Sequence, residues 1–209
     1  MSYTPTISII MDRMKGDLLP SGVQLIAGGP MDTAYIYMVL SFLIGTMICS
    51  PLIAYELYAF FNPALIESEK KWLGGFIFSF IALLAFGISL GYTLILPLTF
   101  RIILWFIESA GALPLINIKE FYMMVITLIA GAGFLYTAPI FLVVLTQKGI
   151  ITAEHITSNR KLFYLGFLVV IAVITPDPTI ITDVIIMAPF IVVFEIAVLF
   201  AKRAEKSRD

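Results

Sequence analysis

The side chains best able to do chemistry in this chain are a few carboxylates at the edges of long apolar runs. In the segment YELYAFFNPALIESEKKW, Tyr55–Trp72, Glu67 and Glu69 stand just before Lys70 and Lys71. A carboxylate so placed can hold a guanidinium through two parallel charge-assisted hydrogen bonds. The same four residues can equally form a solvated loop whose charges pair with one another. Glu195 interrupts an apolar run between Phe194 and Ile196, and Asp183 opens that run. Glu195 either serves a polar interior or reaches back to an interface; Asp183 either has a functional role in the membrane or caps a helix at an interface. Glu56 closes an earlier apolar run and reads as interfacial.

Other chemistries lack their residues. The single His155 adjoins Glu154 with no nucleophile near it in sequence, and reads as a solvated loop residue. There is no HExxH, no GxSxG and no glycine-rich phosphate loop. The carboxylates are too scattered for a metal cluster. Cys49, the only cysteine, can form neither an internal disulfide nor a cysteine zinc site. The sequence therefore predicts no enzyme, no metal and no cofactor. A net charge of -1 gives no electrostatic case for nucleic acid.

The elements that must position these carboxylates follow from where charge is missing. Hydrophobic residues make up 60% of the 209 and charged residues 13%, about half the charge of a soluble domain. Asp32 to Glu56, Lys71 to Arg101 and Glu120 to Lys148 enclose charge-free intervals, each longer than the roughly 20 residues that cross a bilayer core. Two shorter intervals follow, Lys161 to Asp177 and Asp183 to Lys202, the last holding only Glu195. The runs lack the alternation of barrel strands. The expected fold is an all-α integral membrane protein, a kinked multi-span bundle in one domain. Five spans are predicted near 33–56, 72–100, 121–147, 162–176 and 183–201. The fourth is only about 22 Å long at 1.5 Å per residue, so a re-entrant pair is the alternative for the last two. Nine of the 13 Lys and Arg fall on one side, in the loops at Lys70 and Lys148–Lys161 and in the tail 202–209, against four on the other. The nine mark the cytoplasmic side. The C-terminus is then inside, and residues 1–32 form an outer segment.

Local signals refine this. Ile7, Met11, Met14 and Leu18 share one helical face, so a short amphipathic helix is expected at the outer surface, ended by Pro20, Ser21 and Gly22. Asn62 is a good N-cap and Pro63 suits a first helical position, so another should start there and run toward Lys71. Pro51, Pro97, Pro139 and Pro189 fall within spans and either kink them or are absorbed by neighbours. Gly87 and Gly91 have the GxxxG spacing, read as internal packing before dimerisation.

The run FxxPALxxxE, here Phe60, Pro63, Ala64, Leu65 and Glu69, resembles the first cytoplasmic loop of the TatC family, the large membrane subunit of the twin-arginine protein translocase. GYTLILPLTF, Gly91–Phe100, is similar to the end of that family's third membrane helix. ITPDPTIITDVIIMAPFIVVFEIAVLFAKR, Ile174–Arg203, is similar to its C-terminal part. The resemblance spans roughly residues 20 to 203. It implies a receptor in the cytoplasmic membrane for twin-arginine signal peptides of folded exported proteins, with Phe60, Pro63 and Glu69 on the recognition surface. It further implies a glove-shaped bundle in contact with membrane lipid, a homo- or hetero-oligomer, and energy from the proton-motive force. Single-span Tat subunits of TatA or TatB type are implied to dock on the last two helices.

Three departures qualify this resemblance. The family has six spans and a cytoplasmic motif resembling HLxELRxR, and the chain as written is expected to lack the first span and that motif. Where members often carry Glu two residues before the fourth-helix proline, this chain has Thr137, before Pro139; the hydroxyl can still hydrogen-bond. Where Gln is common six residues before the last proline, it has Asp183, before Pro189. Thr137, Asp183 and Glu195 are thus the candidates for a partner-subunit or polar intramembrane role. Two other functions are weighed. A proton-coupled small-solute carrier would use Glu195 and Asp183, but such carriers are built from repeats that this chain lacks. A membrane scaffold would assemble with partners without recognising signal peptides.

Overall fold

Apolar runs without strand alternation must close their backbone hydrogen bonds within the segment, which makes them helices. The computed structural model describes residues 4–20, 23–61, 70–175 and 180–206. Among these the order is α1 (Thr4–Leu18), β1 (Gln24–Ile26), α2 (Asp32–Ile48), α3 (Ser50–Phe61), α4 (Lys70–Leu90), a π turn (Gly91–Ile95), α5 (Leu96–Ser109), β2 (Leu115–Asn117), α6 (Ile118–Gln147), α7 (Ala153–Ser158), α8 (Arg160–Ile174) and α9 (Ile180–Lys206). The molecule is an all-α, kinked membrane bundle, as the sequence predicts. The stretches Gly74–Ser109, Ile118–Gln147 and Thr182–Arg203 are long and apolar enough to cross a bilayer.

The prolines decide where helices break. Over the expected span 33–56 there are two helices, bent by 61° between Ile48 and Ser50. Pro51 is the second residue of α3, a place where its missing N–H needs no partner. With Pro97 the device differs. An α-helical turn would drive its ring into the Thr93 carbonyl. The chain widens to a π turn just before it, and α5 continues. The continuous stretch therefore runs past Arg101, where the apolar interval stops, to Ser109. Arg101 is exposed within α5, because a charge marks where lipid ends and not where a helix ends. Pro139 and Pro189 lie inside α6 and α9.

α6 is the central helix and packs against α2, α4 and α9. In lipid, exchanging one apolar surface for another contributes little, so close approach has to hold helices together. Gly87 supplies it: a Cβ there would lie 2.6 Å from the Ala132 carbonyl oxygen on α6. Gly91 meets Ala132 in the same seam. Across α6, Tyr136, Phe167, Phe190 and Phe194 form an aromatic cluster with α8 and α9. The Tyr136 hydroxyl donates to the Ile186 carbonyl, 2.8 Å away and three residues before Pro189.

One end of the bundle is capped. Ile7, Met11, Met14 and Leu18 of α1 share one face, as their spacing predicts, but that face is buried against the bundle and not laid on the membrane surface; Tyr122 donates to the Met11 carbonyl at 2.9 Å. Beside α1, β1 pairs in parallel with β2, Gln24 opposite Leu115 and Ile26 opposite Asn117. Asn117 also N-caps α6 by accepting from the Lys119 N–H at 2.8 Å. The Asp32 carboxylate accepts from the N–H groups of Gly28 and Gly29, at 3.0 and 2.9 Å, and turns the chain into α2. A Cβ at Gly28 would lie 2.3 Å from the Asn117 amide nitrogen, so any larger residue would have to displace that capping side chain. The opposite, basic end gathers Lys148, Arg160, Lys161, Lys202, Arg203 and Lys206.

Candidate functional site

The sequence candidates fall in three places. The first is the basic end of the α3–α4 hairpin. This hairpin has its own small core, in which Ala54 and Tyr58 of α3 meet Phe76, Phe80 and Leu84 of α4 and Ile140 and Val144 of α6. Tyr58 and Phe76 have ring centroids 5.3 Å apart, and Phe76 and Phe80 both pack against Phe141. That packing fixes the end of α3. Phe60, two residues beyond Tyr58, points away from the core and is 79% exposed. Glu56, one turn earlier, is exposed as well. Pro63 and Glu69 lie outside the described residues, as does most of the short helix expected after Asn62.

The second place is the capped end of the α8–α9 pair. Asp183, in the first turn of α9, is buried, and so is Thr175, which follows α8. The Thr175 hydroxyl lies 3.0 Å from the Asp183 carboxyl and 2.9 Å from the Ile171 carbonyl. Its one hydrogen serves one of these acceptors at a time. Among the described residues, the Thr175 hydroxyl is the hydrogen-bond partner of this buried carboxyl. Thr137 is also buried, but its hydroxyl donates to the Phe134 carbonyl at 2.6 Å and is satisfied within its own helix.

The third place is the basic end of the same pair. Glu195 accepts from the Tyr164 hydroxyl at 2.8 Å and pairs with Arg160 at 3.1 Å. Arg160 and Tyr164 stand one turn apart on α8, so one face of that helix supplies both partners. The side chains of Arg160 and Glu195 remain 39% and 36% exposed, which places the pair at an interface and not in the bundle centre. Close by, Glu205 accepts from the Ala153 N–H at 3.0 Å and ties the end of α9 to the start of α7. Sequence reasoning found Glu195 but not Arg160 or Tyr164. The Arg160–Tyr164 spacing was the available signal, although nothing in sequence says which helix lies opposite.

The structure thus brings Glu195 together with α8 at one end and Asp183 with Thr175 at the other, and leaves Thr137 and Phe60 apart from both. Among the described residues no group of His, Cys, Asp and Glu could hold a metal ion.

Comparison with known proteins adds identity to this geometry. The family described as Sec-independent protein translocase protein (TatC) matches residues 1–189. The TatC protein of Aquifex aeolicus is 30% identical over 202 residues, 95% of this chain and 83% of that protein. TatCy of Bacillus subtilis is 31% identical over 173 residues, 83% of this chain and 68% of that protein. A crystal structure of the twin arginine translocase receptor TatC superposes with a TM-score of 0.78, at 28% identity, covering 97% of this chain and 89% of that one. A second, in DDM, gives 0.79 at 29% identity, with 93% and 87% covered. The α-helical bundle, its bent and short helices and the matching family together show that this chain belongs to the TatC family of Sec-independent protein translocase components.

Proposed function

We propose that this chain is the receptor subunit of a twin-arginine translocase, binding twin-arginine signal peptides at the basic end of the α3–α4 hairpin. Phe60 gives the peptide an apolar contact, Pro63 belongs to the same recognition surface, and Glu69 takes an arginine side chain by charge-assisted hydrogen bonds. The observation that carries this reading is Phe60. A large aromatic side chain is 79% exposed at the end of α3, within the FxxPALxxxE motif, where a peptide can reach it. The basic end faces the cytoplasm and the cap faces outward, since nine of the 13 Lys and Arg lie on the basic side. On this reading α8 is a fifth, short span, which thins the bilayer locally.

Partner single-span subunits dock on α8 and α9, with Asp183 as the polar contact. Among the described residues its carboxyl meets one hydroxyl, whose hydrogen a backbone carbonyl also attracts, and a donor from another helix would add to that. Glu195 holds α8 to α9 so that the docking surface keeps its shape, and Thr137, bonded within α6, takes no part in it. A carrier function finds less support, because Glu195 is engaged by Arg160 and Tyr164.

The test is photo-cross-linking of a twin-arginine signal peptide to a probe at position 60 or 65. Glu69→Ala is expected to reduce the yield about tenfold, the scale of one charge-assisted hydrogen bond. Replacing the two peptide arginines by lysines should act similarly, since an ammonium cannot form the paired contact. Cross-linking that ignores both changes overturns the receptor reading and leaves a scaffold.

A further inference from the structure

A groove of about 550 Å³ opens between α4, α6 and α9 at the basic end. Its walls are apolar, with Phe76 from α4, Ile140 and Val144 from α6, and Ala197 from α9; the Ser79 hydroxyl is the exception. The other polar side chains stand at the mouth. They are Gln147, the last residue of α6, and Arg203, near the end of α9. From Val193 to Arg203 the α9 wall rises about 15 Å, half of a hydrocarbon core of roughly 30 Å. The groove therefore has the depth of one leaflet, with a cation where the headgroups begin.

Arg203 is poised for an anion. Its guanidinium lies 5.9 Å from the centre of the Phe200 ring, which lines the same groove. Among the described residues no carboxylate pairs with it. The neighbouring Glu205 is engaged by the Ala153 N–H, and Lys202 and Lys206 are exposed beside it. The charge at the mouth separates the possible occupants. An apolar helix brings no anion for Arg203. An extended peptide would need partners for its backbone groups, and the walls offer almost none. An acyl chain needs none and is thin enough.

We propose that this groove is a binding site for an anionic phospholipid, with one acyl chain along α6 and α9 and the phosphate at Arg203 and Gln147. The site rests on the membrane fold alone and is independent of signal-peptide recognition. Basic pockets between membrane helices are known to take anionic headgroups in this manner.

The test is native mass spectrometry of the full chain, released from detergent after equilibration with phosphatidylglycerol or phosphatidylcholine. Phosphatidylglycerol should be retained about fivefold better, the scale of one basic residue at an anionic surface. Arg203→Gln should bring the ratio to about one without changing the melting temperature, because Arg203 is exposed. Ala82→Trp, on an exposed groove residue, should lower retention of both lipids. A preference that survives Arg203→Gln overturns the proposal, as does retention that survives Ala82→Trp. Quantitative displacement of the lipid by an apolar peptide also overturns it and makes the groove a peptide site.

Discussion

Glu195 and Asp183 lie on one helix but differ in what their surroundings do for them. Glu195 has a cation and a hydroxyl, yet both members of its ion pair are more than a third exposed, so solvent screens the attraction. Glu195→Gln is accordingly expected to lower stability by less than about 1 kcal/mol, read from thermal melting in detergent. Asp183 is buried and bonded to Thr175. Removing that bond with Thr175→Val should cost about 0.6 kcal/mol, the mean for polar contacts between membrane helices, measured by titration with a denaturing detergent. The larger consequence of changing Asp183 belongs to partner binding: Asp183→Leu should abolish co-purification of a single-span subunit while leaving the melting temperature nearly unchanged. At this scale the sequence was informative where a residue acts through its own position. Asp183 stood out because an acidic residue in an apolar run is odd in itself, whereas Phe60 entered only through the resemblance of its motif. Arg160 was not legible, because its role depends on Glu195, which is remote in sequence and reached only through helix packing.

At the scale of elements, the seam between α4 and α6 is the most demanding contact. A Cβ at Gly87 would lie 2.6 Å from backbone, which cannot yield as a side-chain tip can, so Gly87→Val must push the helices apart. Overpacking of this kind costs about 1–3 kcal/mol, and the expected loss is at the upper end. Gly75→Ala, on the same helix, meets nothing within 4 Å and should be neutral in the same denaturing titration. The existence of each long helix was legible from the charge gaps. Their breaks were only half legible. Proline positions predicted bends, but not that Pro51 would begin a new helix while Pro97 would be absorbed by a π turn. The difference lies in tertiary contacts: Gly87 and Gly91 hold α4 against α6 across the turn and keep that helix continuous.

For the molecule as a whole, two solvents divide the energetics. Within the bilayer, close packing and shape hold the bundle together, whereas α1 lies outside the long apolar stretches and docks by the hydrophobic effect. Polar substitution of Met11 or Met14 should therefore undock the cap. Met11→Asp is expected to expose the bonds after Arg13 and Lys15 to trypsin, with cleavage at least tenfold faster than in the unaltered chain. The amphipathic spacing made α1 legible; the strand pair was not, since three-residue strands carry too little pattern to register. That pair has a kinetic meaning. Gln24 finds its partner at Leu115, and everything between them must first leave the surface, fold through α2 to α5 and come back. A contact of such long range forms late and cannot form during synthesis until the second strand has emerged. The two strands thus act as a latch that closes only on a chain whose helices α2 to α5 have been laid down in order.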